Sequence, residues 1–355
     1  MENSGNYHDN LNKDNIRKLR ELLDALPPFC RQFFRGMDNV YGSRTKIAYA
    51  YDLGVFFEYI HIHHSVGKTM DIPEYTVDIL DQITREDIEE YMEYLSLYRK
   101  GDEEGSAIDV TNEERGKSRK LASLRSFYNF FFRNELIKSN PAALVAMPKL
   151  HSKEIVRLDP NEVAILLDQV EEGTRLTKKQ AEYHAKTKIR DLAILTLLLG
   201  TGIRVSECVG LNIHDVDFDN LGIKVRRKGG YEEVVYFGEE VELALTDYLE
   251  QRQRIIPQTG HENALFLSLQ NRRLTVRSVE NLVKKYASLV TNLKKITPHK
   301  LRSTYGTNLY QETGDIYLVA DVLGHKDVNT TRRHYAAMKD QNKRKAARTI
   351  RLREP

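Results

Sequence analysis

A chain of 355 residues that is 41% hydrophobic and 30% charged can build two cored domains and is not of a disordered or fibrous class. It holds no apolar run of about 18 residues, its first ten residues lack an apolar stretch, and Cys30 and Cys208 form no CxxC or zinc spacing. A membrane span, a secretory signal, a structural metal and a disulfide framework are therefore not expected, and a reducing cytoplasm is.

The net charge of +3 conceals a split. Residues 1–110 carry 12 Lys and Arg against 21 Asp and Glu, and the rest carry 42 against 30. The basic excess is densest at 115–157, ten against two, and at 339–354, seven against two. Segregated positive charge attracts polyanions, DNA before others, although either stretch alone also reads as a solvated surface.

The spacing of Leu19, Leu22, Leu23 and Leu26 predicts an amphipathic first helix, ended by Pro27-Pro28. Ser43 is a plausible cap for a second helix through Ile47, Tyr51, Val55, Phe56 and Tyr59. Thr84 and Asp87 form a capping-box pattern for a third. The charged stretch 100–117 reads as a loop, and a fourth helix carries Leu121, Leu124, Phe127, Tyr128, Phe131 and Phe132 before Asn140-Pro141. Residues 1–147 thus read as an all-helical domain, followed by an extended basic linker at 148–157, where Pro148 disfavours helix.

The second domain, 158–355, opens with Asp159-Pro160, a cap followed by a proline suited to the first helical position. Residues 171–187 are polar and read as a loop. Asp191 to Leu199 is an apolar helix broken at Gly200-Thr201-Gly202. Residues 221–237 alternate as a β-hairpin with Lys228-Gly229-Gly230 near its turn, and the pattern from about 240 onward is helical. The fold class expected is mainly α with a small β-hairpin or sheet.

Chemistry concentrates in this second half. Arg204 and Glu207 lie three apart in GIRVSE and share a helix face, so the carboxylate can orient the guanidinium, although most such pairs are surface ion pairs. Thr297-Pro298-His299-Lys300-Leu301-Arg302 places a His and an Arg on the opening turns of a capped helix, whose N-terminus favours an anion. Leu323-Gly324-His325 sets a His after a glycine that can end a helix. Ten residues on, Thr330-Thr331-Arg332-Arg333-His334-Tyr335 surrounds a tyrosine with positive charge, which favours the phenolate.

Together, in this order, these residues resemble the tyrosine recombinase (phage-integrase-type) family, whose signature runs Arg, Lys, His-x-x-Arg, His, Tyr. The matching positions are Arg204, Lys228 in RRKGG, His299 and Arg302 in HKLR, His325 in LGH, and Tyr335. The likeness covers residues 158–340 by motif and the N-terminal half in layout. Chain length and the stretches near 171–187 and 100–117 are similar to the Xer-like branch, particularly its single-recombinase members. Ser303 stands where the family often has a second His. Tyr305, Tyr310 and Tyr317 are rival nucleophiles that precede the Leu-Gly-His motif.

The resemblance implies a core-binding helical domain and an α+β catalytic domain that cut and rejoin duplex DNA through a 3′-phosphotyrosine, with no metal, nucleotide or other cofactor. It assigns Arg204 and Arg302 to the phosphate oxygens, His325 to a further hydrogen bond, Lys228 to general acid, and His299 to the base or to the phosphate. Glu207 orients basic groups. It also implies a clamp around DNA, with the linker crossing the duplex, four protomers on two synapsed duplexes, and a tail at 338–350 that docks on a neighbour or lies on DNA. Candidate DNA contacts are Lys117, Arg119, Lys120 and Arg125 in the first domain, and Arg226, Arg227, Arg272, Arg273 and Arg277 in the second. The expected roles are chromosome dimer resolution or integration and excision of a mobile element, in the cytoplasm and at the nucleoid, with any accessory protein unidentified. The competing readings are a type IB topoisomerase, which needs no partner duplex, and a DNA-binding regulator without turnover. A metallo-hydrolase built on His299, His325 and Glu207 lacks the usual ligand spacing.

Overall fold

Leu19 and Leu23 form the buried stripe of the first helix, α1 (Tyr7–Asp24), which stops short of Pro27-Pro28. The computed structural model describes residues 7–38, 40–100, 108–151, 156–227, 229–325 and 327–328. The chain divides into two units, residues 1–152 and 153–355.

In the first unit α1 packs on α3 (Ser43–His63), with α2 (Cys30–Gly36) between them in the chain. Ser43 does not cap α3. Gly42 holds the cap position, and Ser43 instead accepts a hydrogen bond from Asn15 at 3.2 Å, tying α3 to α1. A short α4 (Ile79–Gln82) precedes α5 (Arg85–Tyr94), where Thr84 and Asp87 form the expected capping box. The stretch expected as a loop is shorter: β1 (Tyr98–Lys100) and β2 (Ile108–Val110) pair antiparallel, and α6 (Glu114–Arg133) starts inside it. Charge masks the strands because their residues are largely solvent-facing. Asn140 then caps α7 (Pro141–Leu144). The core interlocks Phe29, Phe33, Phe57, Phe127 and Phe131 edge to face. Full burial of such a side chain contributes roughly 1.5–3 kcal/mol.

In the second unit α8 (Pro160–Glu172) opens at Asp159, whose N–H donates to Glu162 at 2.8 Å, and closes on left-handed Gly173. The expected 171–187 loop shrinks to Gly173–Thr177, because α9 (Lys178–Thr201) begins far earlier than its apolar half. Its first half turns a polar stripe inward: His184 bonds the Val170 carbonyl at 2.7 Å and Thr187 donates to Asp191 at 3.0 Å. Apolar periodicity cannot register such a stripe. The helix also runs through Gly200, where a Cβ would come within 2.5 Å of Val241, and ends only at Gly202.

Beyond Gly202 come α10 (Val205–Gly210) and a three-stranded antiparallel sheet, β3 (Val216–Asp217), β4 (Gly222–Arg226) and β5 (Glu232–Tyr236), in that order. Ile223 pairs with Val235 and Val225 with Glu233, as the expected hairpin requires. The remaining helices are α11 (Glu239–Arg252), α12 (Val276–Ala287), α13 (Pro298–Thr313) and α14 (Ile316–Val322). The chain is not helical throughout after 240. Between α11 and α12 it is irregular, pinned by bridges between Asn212 and Ala264 and between Leu267 and Arg273. Ala193, Ile194, Leu195, Leu197 and Leu198 bury the apolar half of α9, against which α8, α11 and α13 pack.

Candidate active site

Three backbone segments meet around two arginines. Left-handed Gly202, φ 63°, turns the chain out of α9 so that Arg204 stands just before α10. A Cβ at Gly202 would lie 2.4 Å from the Tyr305 ring, so glycine is needed for space as well as for backbone sign. Arg302 lies on α13, one turn beyond Pro298 and His299. The third segment is the end of α14, where left-handed Gly324, φ 59°, leads into His325.

Glu207, buried on α10, receives the Arg204 main-chain N–H at 2.8 Å and its Nη1 at 2.7 Å. Arg204 Nη2 donates to the Gly324 carbonyl at 3.2 Å. Arg302, itself buried, donates through Nη1 to the Gly202 carbonyl at 2.7 Å and through Nη2 to the Leu323 carbonyl. Both guanidiniums therefore hold the 323–324 turn, and the His325 N–H, next in the chain, donates to Ala320 at 2.9 Å. The His325 side chain is half-buried and His299 is exposed on the first turn of α13. Thr297 occupies the cap position of that helix with its carbonyl, which accepts from Lys300 and Leu301, and not with its side chain. Ser303 donates to the His299 carbonyl at 3.0 Å and so supports the same turn.

The structure thus brings together Arg204, Glu207, Arg302, the His325 segment and, one turn away, His299. Lys228 and Tyr335 lie outside the described residues, as do the 338–350 tail and 101–107. Of the rival tyrosines, Tyr305 has its phenol pushed up by burial, Tyr310 is buried, and Tyr317 is exposed on α14. Burial, then the Glu207 charge, pushes the neighbouring Cys208 thiol up to about 12, which makes it an inert packing residue.

Four residues expected at a DNA surface are placed otherwise. Arg227 is buried, bonded to Glu207, Glu233 and the Val322 carbonyl. Arg273 donates to the Val209 and Leu211 carbonyls and to Asn212. Arg125 donates to the carbonyls of Ala142 and Val145, and Lys120 is buried, with Asn112 as acceptor. Strand alternation was the missed signal for Arg227: it follows Ile223 and Val225 onto the buried side of β4, while Lys224 points out. Arg272 and Arg277 are exposed, Arg119 is half exposed and bonded to Asp52, Lys117 donates to Ser96 at 2.6 Å, and Arg226 is partly exposed.

Mostly helical with small antiparallel sheets, the chain has the integrase fold, as its likeness to solved recombinases shows. The Tn1549 transposon integrase, in complex with circular intermediate DNA, is similar with a TM-score of 0.61 and 21% identity over 86% of this chain and 94% of that one. The XerH site-specific recombinase bound to its difH substrate is similar with a TM-score of 0.58 and 20% identity, over 82% and 76%. In sequence, the profile of the Phage integrase family matches residues 157–342. Tyrosine recombinase XerC of Caldanaerobacter subterraneus subsp. tengcongensis is 32% identical over 333 residues, covering 89% of this chain and 85% of that protein. The chain belongs to the phage integrase family of tyrosine recombinases, and it is a site-specific recombinase with Xer-type relatives.

Proposed function

We propose that Tyr335 is the nucleophile of this recombinase and that the site built around Arg204 and Arg302 receives the scissile DNA phosphate. The observation that carries the reading is the convergence of these two guanidiniums on the Leu323-Gly324 turn beside His325. Planar, multi-donor groups fixed before substrate arrives stabilise the extra negative charge of a phosphorane-like transition state without reorganising.

In the first step the Tyr335 phenol oxygen forms a bond to phosphorus and the bond to the 5′-oxygen breaks. Lys228 gives its ammonium proton to that oxygen as general acid. The phenol proton passes to a base, the place His299 takes if it is not a phosphate ligand. A 5′-hydroxyl of a partner duplex then bonds to that phosphorus while the bond to the Tyr335 oxygen breaks; the hydroxyl proton passes to the now neutral Lys228 and the phenol regains one from the base, so phosphodiester energy is kept in the covalent link until rejoining. Residues 1–147 serve as the core-binding domain, 148–157 as the linker and 158–355 as the catalytic domain. Phosphate contacts fall to Lys117, Arg119, Arg226, Arg272 and Arg277. The working assembly is a homotetramer on two synapsed duplexes, and the place of action is the cytoplasm, at the nucleoid. Its role is chromosome dimer resolution or mobile-element integration and excision, which share this chemistry.

The test is a duplex nicked next to the cleavage position, so that cleavage cannot reverse. The wild type is expected to accumulate a covalent protein–DNA adduct, and Tyr335→Phe to form none while binding the same DNA. Adduct formation by Tyr335→Phe would overturn the nucleophile. Absence of adduct from the wild type would favour a DNA-binding regulator. Supercoil relaxation on arbitrary plasmid would favour a topoisomerase.

A further inference from the structure

The Arg227 side chain is 1% exposed although it sits one residue beyond the end of β4. Its guanidinium reaches three elements at once. Nη1 donates to Glu207 at 3.1 Å, Nε to Glu233 on β5 at 2.7 Å, and Nη2 to the Val322 carbonyl at the end of α14 at 2.9 Å. Its main chain does separate work: Arg227 N–H donates to the Tyr231 carbonyl at 2.9 Å, and Gly230 N–H donates to the Arg227 carbonyl at 3.0 Å. These bonds close the hairpin end between Arg227 and Tyr231, and Lys228 is the residue after Arg227 in the sequence. The guanidinium also fills the space beside Gly324, where a Cβ would lie 2.9 Å from Arg227 Nε.

We propose that Arg227 is a positioning residue for strand cleavage: it pins the root of the Lys228 turn to the carboxylate that holds Arg204 and to the backbone that leads into His325. This rests on Lys228 being the general acid. A planar fork with five donors can address two carboxylates and a carbonyl together, which a lysine ammonium on a flexible stem does not reproduce. Without it the hairpin keeps its strand pairing but loses its side-chain tie to α10 and α14. A displacement on the order of 1 Å at a reacting group costs about 10² in rate.

The experiment measures single-turnover cleavage on duplexes carrying the protein's own site, with either the ordinary 5′-oxygen or a 5′-bridging sulfur at the scissile position. A thiolate leaves without a proton donor. Arg227→Gln is expected to lose about 10² in rate on the oxygen substrate, to bind DNA as the wild type does, and to recover on the sulfur substrate, as Lys228→Ala does. Arg227→Gln slow on both substrates, with Lys228→Ala recovering, overturns the proposal. Lys228→Ala slow on both overturns the acid assignment, and the proposal falls with it. Because Arg227→Gln strips a partner from buried Glu207, Glu233→Ala provides a milder variant that removes only the hairpin-side bond. Should Arg227→Gln fail to fold, Glu233→Ala decides: a smaller loss that sulfur restores supports the proposal, and a loss that sulfur leaves unchanged contradicts it.

Discussion

Arg302 reaches two carbonyls on separate segments, Gly202 and Leu323, and this two-pronged geometry is what a lysine would forfeit. A single ammonium is a point charge and does not hold the two segments apart at fixed angles. Arg302→Lys is therefore expected to lower the single-turnover cleavage rate by about 10²–10³, the size seen when one preorganised donor is lost, with little change in DNA affinity. An equal fall in affinity and no fall in rate would place Arg302 in binding alone. At this scale the sequence was most legible where the chemistry dictates residue type and spacing, as in GIRVSE, HKLR and LGH. It was least legible where a charged side chain turns inward. Counting charge put Arg227, Arg273, Arg125 and Lys120 on a DNA surface, and counting does not register that Arg227 and Lys120 are buried and that all four donate to protein acceptors.

At the scale of elements, the turn between α9 and α10 decides where Arg204 points. Gly202 combines a left-handed backbone with contact against Tyr305, so Gly202→Ala meets both strain and a clash. It is expected to destabilise the protein by at least about 1 kcal/mol, read by thermal unfolding, and to depress cleavage further by misaiming Arg204. Wild-type stability and activity in that variant would show the turn to be plastic. The caps at Thr84 with Asp87 and at Asp159 with Pro160, and the turn at Gly229-Gly230, were readable because they depend on local residue chemistry, whereas at α3 Gly42 takes the cap position expected for Ser43. The first half of α9 was not, because His184, Thr187 and Asp191 fill the inward positions that a helix usually gives to leucine. Asp191 accepts from Arg190 and from Tyr286 of α12, so the buried charge is compensated and a polar stripe becomes a packing face.

For the molecule as a whole, two units each bury a core of their own, and the basic excess lies after residue 110. Binding through phosphate contacts releases counterions, so log affinity should fall linearly with log salt, by about 0.9 per phosphate neutralised. A filter-binding or anisotropy titration between low and moderate salt is expected to weaken steeply, and a flat response would contradict a phosphate-tracking surface.

In strand cleavage one phenol oxygen is expected to become bonded to DNA phosphorus. The most direct measurement is proteolysis of the trapped adduct followed by mass spectrometry of the nucleotide-bearing peptide. The modified residue is expected to be Tyr335, joined to a 3′-phosphate. Modification at Tyr305, Tyr310 or Tyr317, or linkage to a 5′-phosphate, would contradict it.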